Sequence, residues 1–305
     1  MTHPSSQPSS DDSGVRAGFS AAVKAYLLVQ LRAIDEQLLL SRRHPHRAVH
    51  ALRKAVRRFR SVLALCGDAA PVALARIDRR VRRIGKDFSA LRDAHVLVGA
   101  VAAVRRRDAR PAVWQELEAL AVAQRKALLG RALADDPEFR AVRRRVARIS
   151  TDLARGEIGY VTGAVVARAL VDSAARVTRA ERKARDSARK TVQHRWRRRV
   201  RRLRLQLEGL EAIAGDPQTS VEARVEAQWI LADAADRVPS AATLAVLADR
   251  LGRQQDLARL RAVVREHDEL PDRALMLQAL KRQLSRDGRG DARAVRRRGG
   301  VSRRS

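Results

Sequence analysis

A helical motif that occurs twice places the strongest constraint on how this chain can fold. His50-Ala51-Leu52-Arg53-Lys54-Ala55-Val56-Arg57-Arg58-Phe59-Arg60 returns 144 residues later as His194-Arg195-Trp196-Arg197-Arg198-Arg199-Val200-Arg201-Arg202-Leu203-Arg204. Counted from each histidine, both copies carry a basic residue at +3, +4, +7, +8 and +10, and an apolar residue at +2, +6 and +9. At roughly 100° per residue, the basic set and its histidine share an arc of about 160°, and the apolar set points to the opposite side. One face is suited to a core and the other to an ordered anion.

The apolar stripe of the first copy comprises Leu52, Ala55, Val56, Phe59, Val62 and Leu63. That of the second comprises Trp196, Val200, Leu203 and Leu207, with Arg199 at its edge. Opposite them run two cationic strips: His50, Arg53, Lys54, Arg57, Arg58 and Arg60, and His194, Arg197, Arg198, Arg201, Arg202 and Arg204. Like charges four residues apart each cost a few tenths of a kcal/mol in a helix. A face selected for solubility alone would alternate with glutamates, yet the first strip holds none from His50 to Arg60. In the second, Glu208 stands one turn beyond Arg204 and is placed to orient it. Beside a bound anion each histidine would become an additional donor.

The whole chain extends this pattern, with 64 Lys and Arg against 34 Asp and Glu, a formal charge of +30. Such self-repulsion calls for a polyanionic partner, and arginine favours bidentate contact with phosphate oxygens. The chain is 45% hydrophobic but only 3% aromatic, mostly Ala, Leu and Val beside Arg and Glu, the composition of helices. No period-two alternation bounded by turn residues stands out, so an all-α fold is expected. Cys66 is the single cysteine, which leaves no disulfide framework and points to a reducing cytoplasm. Neither a signal peptide nor an apolar stretch of membrane-spanning length is evident, and no membrane association is expected.

Residues 1–17 read as a disordered leader and 286–305 as a disordered basic Gly/Arg tail. Between them the periodicity predicts helices near 18–41, 46–66, 72–107, 111–133, 137–155, 178–214, 221–236, 240–266 and 271–285, with a short one at 164–175. Gly156, Gly159 and Gly163 mark the main break, so the ordered region 18–285 divides into halves of about 18–155 and 164–285. Each half holds one copy of the motif. Short connections predict an up-and-down helical bundle in each, and the duplication a pseudo-two-fold pair.

These residues resemble the CHAD family, the conserved histidine α-helical domain. His50-x-x-Arg53-x-x-x-Arg57-Arg58-Phe59-Arg60 is similar to the family's first-half signature, and Leu91-Arg92-Asp93-Ala94-His95-Val96-Leu97 to its R-D-x-x-V segment. His194-x-x-Arg197-x-x-x-Arg201-x-Leu203-Arg204-x-x-x-Glu208 and Leu251-Gly252-x-x-x-Asp256 resemble the second-half elements. Leu205 and Arg201 depart from the pattern, standing where the family often has tyrosine and lysine. The resemblance implies two four-helix bundles around a basic central cavity, binding of inorganic polyphosphate and, for some members, association with polyphosphate granules. The E-x-E-x-K signature of the hydrolase domain fused to some members is absent.

The expected function is that of a non-catalytic polyphosphate-binding protein, its two strips lining one cavity and exchanging counterions for phosphates. A nucleic-acid-binding protein is the alternative. The charge suits nonspecific binding at low salt, but nine aromatics offer little for base stacking, and no zinc-finger, RNP-like or helix-turn-helix spacing is present. An enzyme acting on phosphate chains needs metal-holding carboxylates or a phosphate-cradling glycine loop, and neither is seen. Asp93 and Asp256 read instead as salt-bridge partners. His44, His46 and His50 suggest a metal site only weakly, since no third ligand has a supporting context and the nearby arginines repel cations. No cofactor is expected, and the oligomeric state is open.

Overall fold

A computed structural model describes the backbone of residues 10–299, apart from 41–43, 68–71, 157, 160 and 188, and side chains over 18–286 with the same breaks. Among the described residues there are eleven α-helices and no strand. They are α1 (Ser10–Leu39), α2 (Pro45–Leu63), α3 (Val72–Asp87), α4 (Ser89–Arg105), α5 (Gln115–Asp135), α6 (Arg140–Arg155), α7 (Gly163–Arg185), α8 (Lys190–Gly215), α9 (Val221–Ala234), α10 (Ala241–Glu266) and α11 (Arg273–Gly299). The all-α expectation holds.

Two expected helices are each divided. The region near 72–107 breaks at Phe88 into α3 and α4, and the one near 178–214 breaks between Arg185 and Lys190. The short helix expected at 164–175 is therefore the first part of α7, which Thr162 caps through its hydroxyl. At the second break, Asp186 and Ser187 are residues that favour turns over helix interiors. Gln193 then donates to the carbonyls of Ala184 and Ser187, satisfying acceptors left at the end of α7.

Helical backbone also extends beyond both expected boundaries. α1 begins at Ser10, inside the segment read as a leader, and α11 continues to Gly299, inside the segment read as a tail. Ala292, Arg293 and Ala294 are strong helix formers beside Gly288 and Gly290. Residues 1–9 and 300–305 lie outside the described residues.

The helices form two compact units, and each unit draws on both sequence halves. The first comprises residues 1–88 and 136–246, and the second 89–135 and 247–305. In the first unit, α1 packs against α2, α6, α8 and α9. Its buried stripe, Phe19, Val23, Leu27, Leu31, Ile34 and Leu38, has the three- and four-residue spacing of an amphipathic helix. α2 packs on α3 and on α8, so the two motif helices are direct neighbours. The expected core stripe of α2 is buried, with Leu52 and Phe59 wholly inaccessible.

The chain leaves this unit after Phe88 and returns at Asp136. The rings of Phe88 and Phe139 meet edge to face, with centroids 5.1 Å apart, and so close the excursion. Glu138 and Phe139 both have φ of 55°, a left-handed conformation unusual for such residues. Burial of the Phe139 ring favours this turn. The Asp136 carboxylate accepts from the amides of Ala141 and Val142, satisfying two of the open donors of α6.

The second unit is built from α4, α5, α10 and α11. Its core holds Leu97, Val101 and Val104 of α4, Trp114, Leu117 of α5, Leu257, Leu260 and Val264 of α10, and Met276 and Leu280 of α11. Trp114 is fully buried, and its indole N–H donates to Asp108 at 2.8 Å, so the large ring is buried without an unsatisfied polar group.

Candidate functional site

The site begins with how closely α2 and α8 approach. Leu203, Leu205, Gln206, Leu207, Gly209 and Leu210 are all buried, so this part of α8 is enclosed on several sides. A β-carbon on Gly209 would fall 2.3 Å from Val62 Cγ2 and 3.5 Å from the Tyr26 hydroxyl. Glycine is therefore what allows α8 to lie against α2 and α1 at this crossing. The close approach brings the ends of the two cationic strips together.

The contacts between the strips are reciprocal. Arg58 and Arg60 stand 8 and 10 residues after His50, as Arg202 and Arg204 do after His194. Arg60 and Arg202 line one cavity of about 380 Å³ with Leu63, Ala64, Gly67, Leu74, Ala75 and Asp78. Arg58 and Arg204 meet across Glu208, whose carboxylate lies 3.9 Å from Arg58 Nη2 and 3.2 Å from Arg204 Nε. In both places the +8 arginine of one copy approaches the +10 arginine of the other. A pseudo-two-fold relation between the copies has this signature.

Each pair of arginines encloses one carboxylate. Arg60 donates to Asp78 through Nε at 2.6 Å and Nη2 at 3.0 Å, a bidentate fork. Tyr26 of α1 stands beside the other pair. Burial, opposed by Arg58 and reinforced by Glu208, pushes its phenol up to about 12, so it remains protonated and able to donate. Although the Arg202 side chain reaches solvent, desolvation lowers its pKa from the usual arginine value, and the charges of Arg60, Arg198 and Arg176 add to this while Asp78 opposes it. Desolvation, then Arg195, Arg179 and Arg176, likewise lower that of Arg199. Cations are thus held against mutual repulsion, the electrostatic condition that an anion relieves.

The remaining strip residues are distributed less evenly. His50, Lys54, His194, Arg198 and Arg202 are exposed, while Arg53, Arg57, Arg58, Arg60, Arg197, Arg201 and Arg204 are half-buried. Arg53 uses one N–H on the carbonyl of Gly85, where α3 passes α2, and so also holds two helices together. Of the twelve strip residues, Arg60 and Arg202 line the cavity. Arg199, on the border of the core stripe, donates to the Arg176 carbonyl of α7 at 3.0 Å.

Asp78, Tyr26 and Arg176 lie outside the repeated motif, and residue spacing does not mark them as site residues. Asp78 carries the one usable signal, as an isolated acid beside Arg79, Arg80, Arg82 and Arg83. In the second unit, Asp93 is a salt-bridge partner, as expected, paired with Arg92 and Arg259 at 2.7 Å. Among the described residues no three His, Cys, Asp or Glu side chains cluster as metal ligands, and no helix is long and apolar enough to cross a membrane.

A family model described as CHAD domain matches residues 25–265 of this chain. Among solved structures, the crystal structure of the CHAD domain from the plant Ricinus communis superposes with a TM-score of 0.55 at 21% identity, covering 89% of this chain and 87% of that one. PptA from Streptomyces chartreusis superposes with a TM-score of 0.52 at 14% identity, covering 89% and 99%. No curated protein matches the chain.

Proposed function

Because the chain belongs to the CHAD domain family, we propose that it binds inorganic polyphosphate along the seam between α2 and α8 and performs no chemistry on it. The observation that carries this reading is the reciprocal approach of Arg60 to Arg202 and of Arg58 to Arg204. Two arginine pairs on neighbouring helices bring guanidinium donors together, and polyphosphate is a flexible chain that presents an acceptor group at every unit. Arginine binds such oxygens in bidentate fashion, and counterions released from the polyanion favour the complex entropically. Lys54, Arg57, Arg197, Arg198 and Arg201 extend the cationic surface along the same helices, with Arg53 at its border. The exposed His50 and His194 supply further donors at the outer ends of the strips. Attachment to polyphosphate granules in the cytoplasm is the setting in which such binding operates.

The test is a competition titration at ~150 mM salt, where charges farther apart than about 8 Å are largely screened. Polyphosphate is expected to displace duplex DNA, matched per phosphate, because a thin flexible chain can follow a seam that a duplex cannot enter. Equal affinity for both across a salt series would reduce the interaction to nonspecific charge and favour the nucleic-acid alternative.

A further inference from the structure

Both +10 arginines are held by a carboxylate, although the two copies of the motif supply it from unrelated positions. Arg204 is met by Glu208, four residues further along the same helix. The corresponding position after Arg60 is Ala64, where α2 has already ended at Leu63. Alanine has no carboxylate to offer, and it lines the cavity instead. The acid comes from the neighbouring helix, as Asp78 of α3, and it engages Arg60 through both oxygens. The +10 arginine is thus met by an acid in both copies by different means, although an acid beside a polyanion site repels the ligand.

We propose that Asp78 is a positioning residue for polyphosphate binding, holding Arg60 by its Nε edge so that the rest of the guanidinium is presented to the ligand. This rests on the polyphosphate reading above. A guanidinium has five N–H donors in a rigid fork. Asp78 occupies Nε and Nη2 of Arg60, and Nη1 lies outside the pair. Glu208 approaches Arg204 from the same Nε edge. An arginine side chain loses considerable rotamer freedom on binding, and a tether that has already removed that freedom lowers the cost of engaging phosphate. Asp78 also lines the cavity beside Arg202, so simple electrostatics would assign it the opposite effect, repulsion of the ligand.

The two effects differ in sign, which makes the experiment decisive. Binding of long-chain sodium polyphosphate is measured by calorimetry for wild type, Asp78→Ala, Arg60→Ala and the double variant. Asp78→Ala is expected to weaken binding about tenfold, despite making the site more positive, because preorganisation is lost. In the Arg60→Ala background the same substitution is expected to leave affinity unchanged or raise it, since only a repulsive charge is then removed. If Asp78→Ala lowers the melting temperature, Asp78→Asn is read in its place in both backgrounds, and a loss of affinity confined to the chain with Arg60 intact is expected because one of the two accepting oxygens is gone. Tighter binding by Asp78→Ala with Arg60 intact, or equal losses in both backgrounds, would overturn the proposal while leaving polyphosphate binding in place. A wild-type chain that prefers duplex DNA would overturn both.

Discussion

Gly209 of α8 and Val62 of α2 lie so close that a β-carbon on the glycine would stand 2.3 Å from the valine Cγ2. Both positions are on the helices that carry the cationic strips, so the contact fixes the spacing of the arginine pairs. Gly209→Ala is expected to force the helices apart or push Val62 off its rotamer, at a cost of about 1–3 kcal/mol. Combining it with Val62→Ala should recover part of the loss, because the clashing methyl is removed. Thermal denaturation of the single and double variants checks this.

Charge reversal on the strips separates recognition from folding. Arg57 and Arg201 are half-buried on the side opposite the core stripes. Arg57→Glu combined with Arg201→Glu should abolish polyphosphate binding while the helical circular dichroism persists. Phe59→Asp should instead destabilise the first unit by about 3–5 kcal/mol or more, because Phe59 is wholly buried and a carboxylate there has no partner. Normal binding by the double reversal would place the ligand elsewhere.

Acid should weaken the second unit through Asp93. Burial acts to raise its carboxyl pKa, but hydrogen bonds from Arg259 and Arg92, then their charges, hold it below the ordinary carboxylate value. A carboxylate depressed in the folded state contributes stability that is present above its unfolded pKa and is lost as pH falls through the folded value. Amides of α4 and α10 should therefore lose exchange protection as the pH is lowered from about 5 to 3. In Asp93→Asn the protection should start lower and change less over that interval.

Cys66 reports on unfolding. It is inaccessible, and burial pushes its thiol up to about 11, so at pH 8 it is both shielded and protonated. Alkylation by iodoacetamide should be slow in the native protein, and its rate should follow the opening of the first unit as denaturant is added. Rapid labelling under native conditions would contradict the burial of this residue.

Much of the secondary structure and both faces of α2 and α8 were legible in the sequence, because helical periodicity directly encodes which side of a helix leaves water. Leu52, Val56 and Phe59 on one side and Arg57 and Arg58 on the other follow from residue spacing alone. Periodicity does not say what a face packs against. The partnership of Asp78 with Arg60 joins different helices, and the position of Tyr26 beside Arg58 and Glu208 depends on how α1 crosses α2 and α8. The break at Phe88 leaves no signal in the periodicity, because the sequence on both sides of it is strongly helical. The division into units at residues 88, 136 and 246 is equally tertiary and leaves no composition shift.

That division has a consequence for synthesis on the ribosome. The first unit cannot be completed from the first half of the gene product, because α7, α8 and α9 belong to it and are translated after the whole excursion through α4 and α5. The apolar faces of α1 and α2 must wait for α8 and α9, on the order of ten seconds at ordinary elongation rates. A nascent chain in that interval has an incomplete core beneath a surface that already carries dense positive charge, with ribosomal RNA as the nearest polyanion. Separately expressed halves cut at the glycine-rich break would each inherit parts of two cores and complete neither. Assembly of this protein is therefore a problem of order in time, set by a topology in which the repeated unit of sequence and the compact unit of the fold are different things.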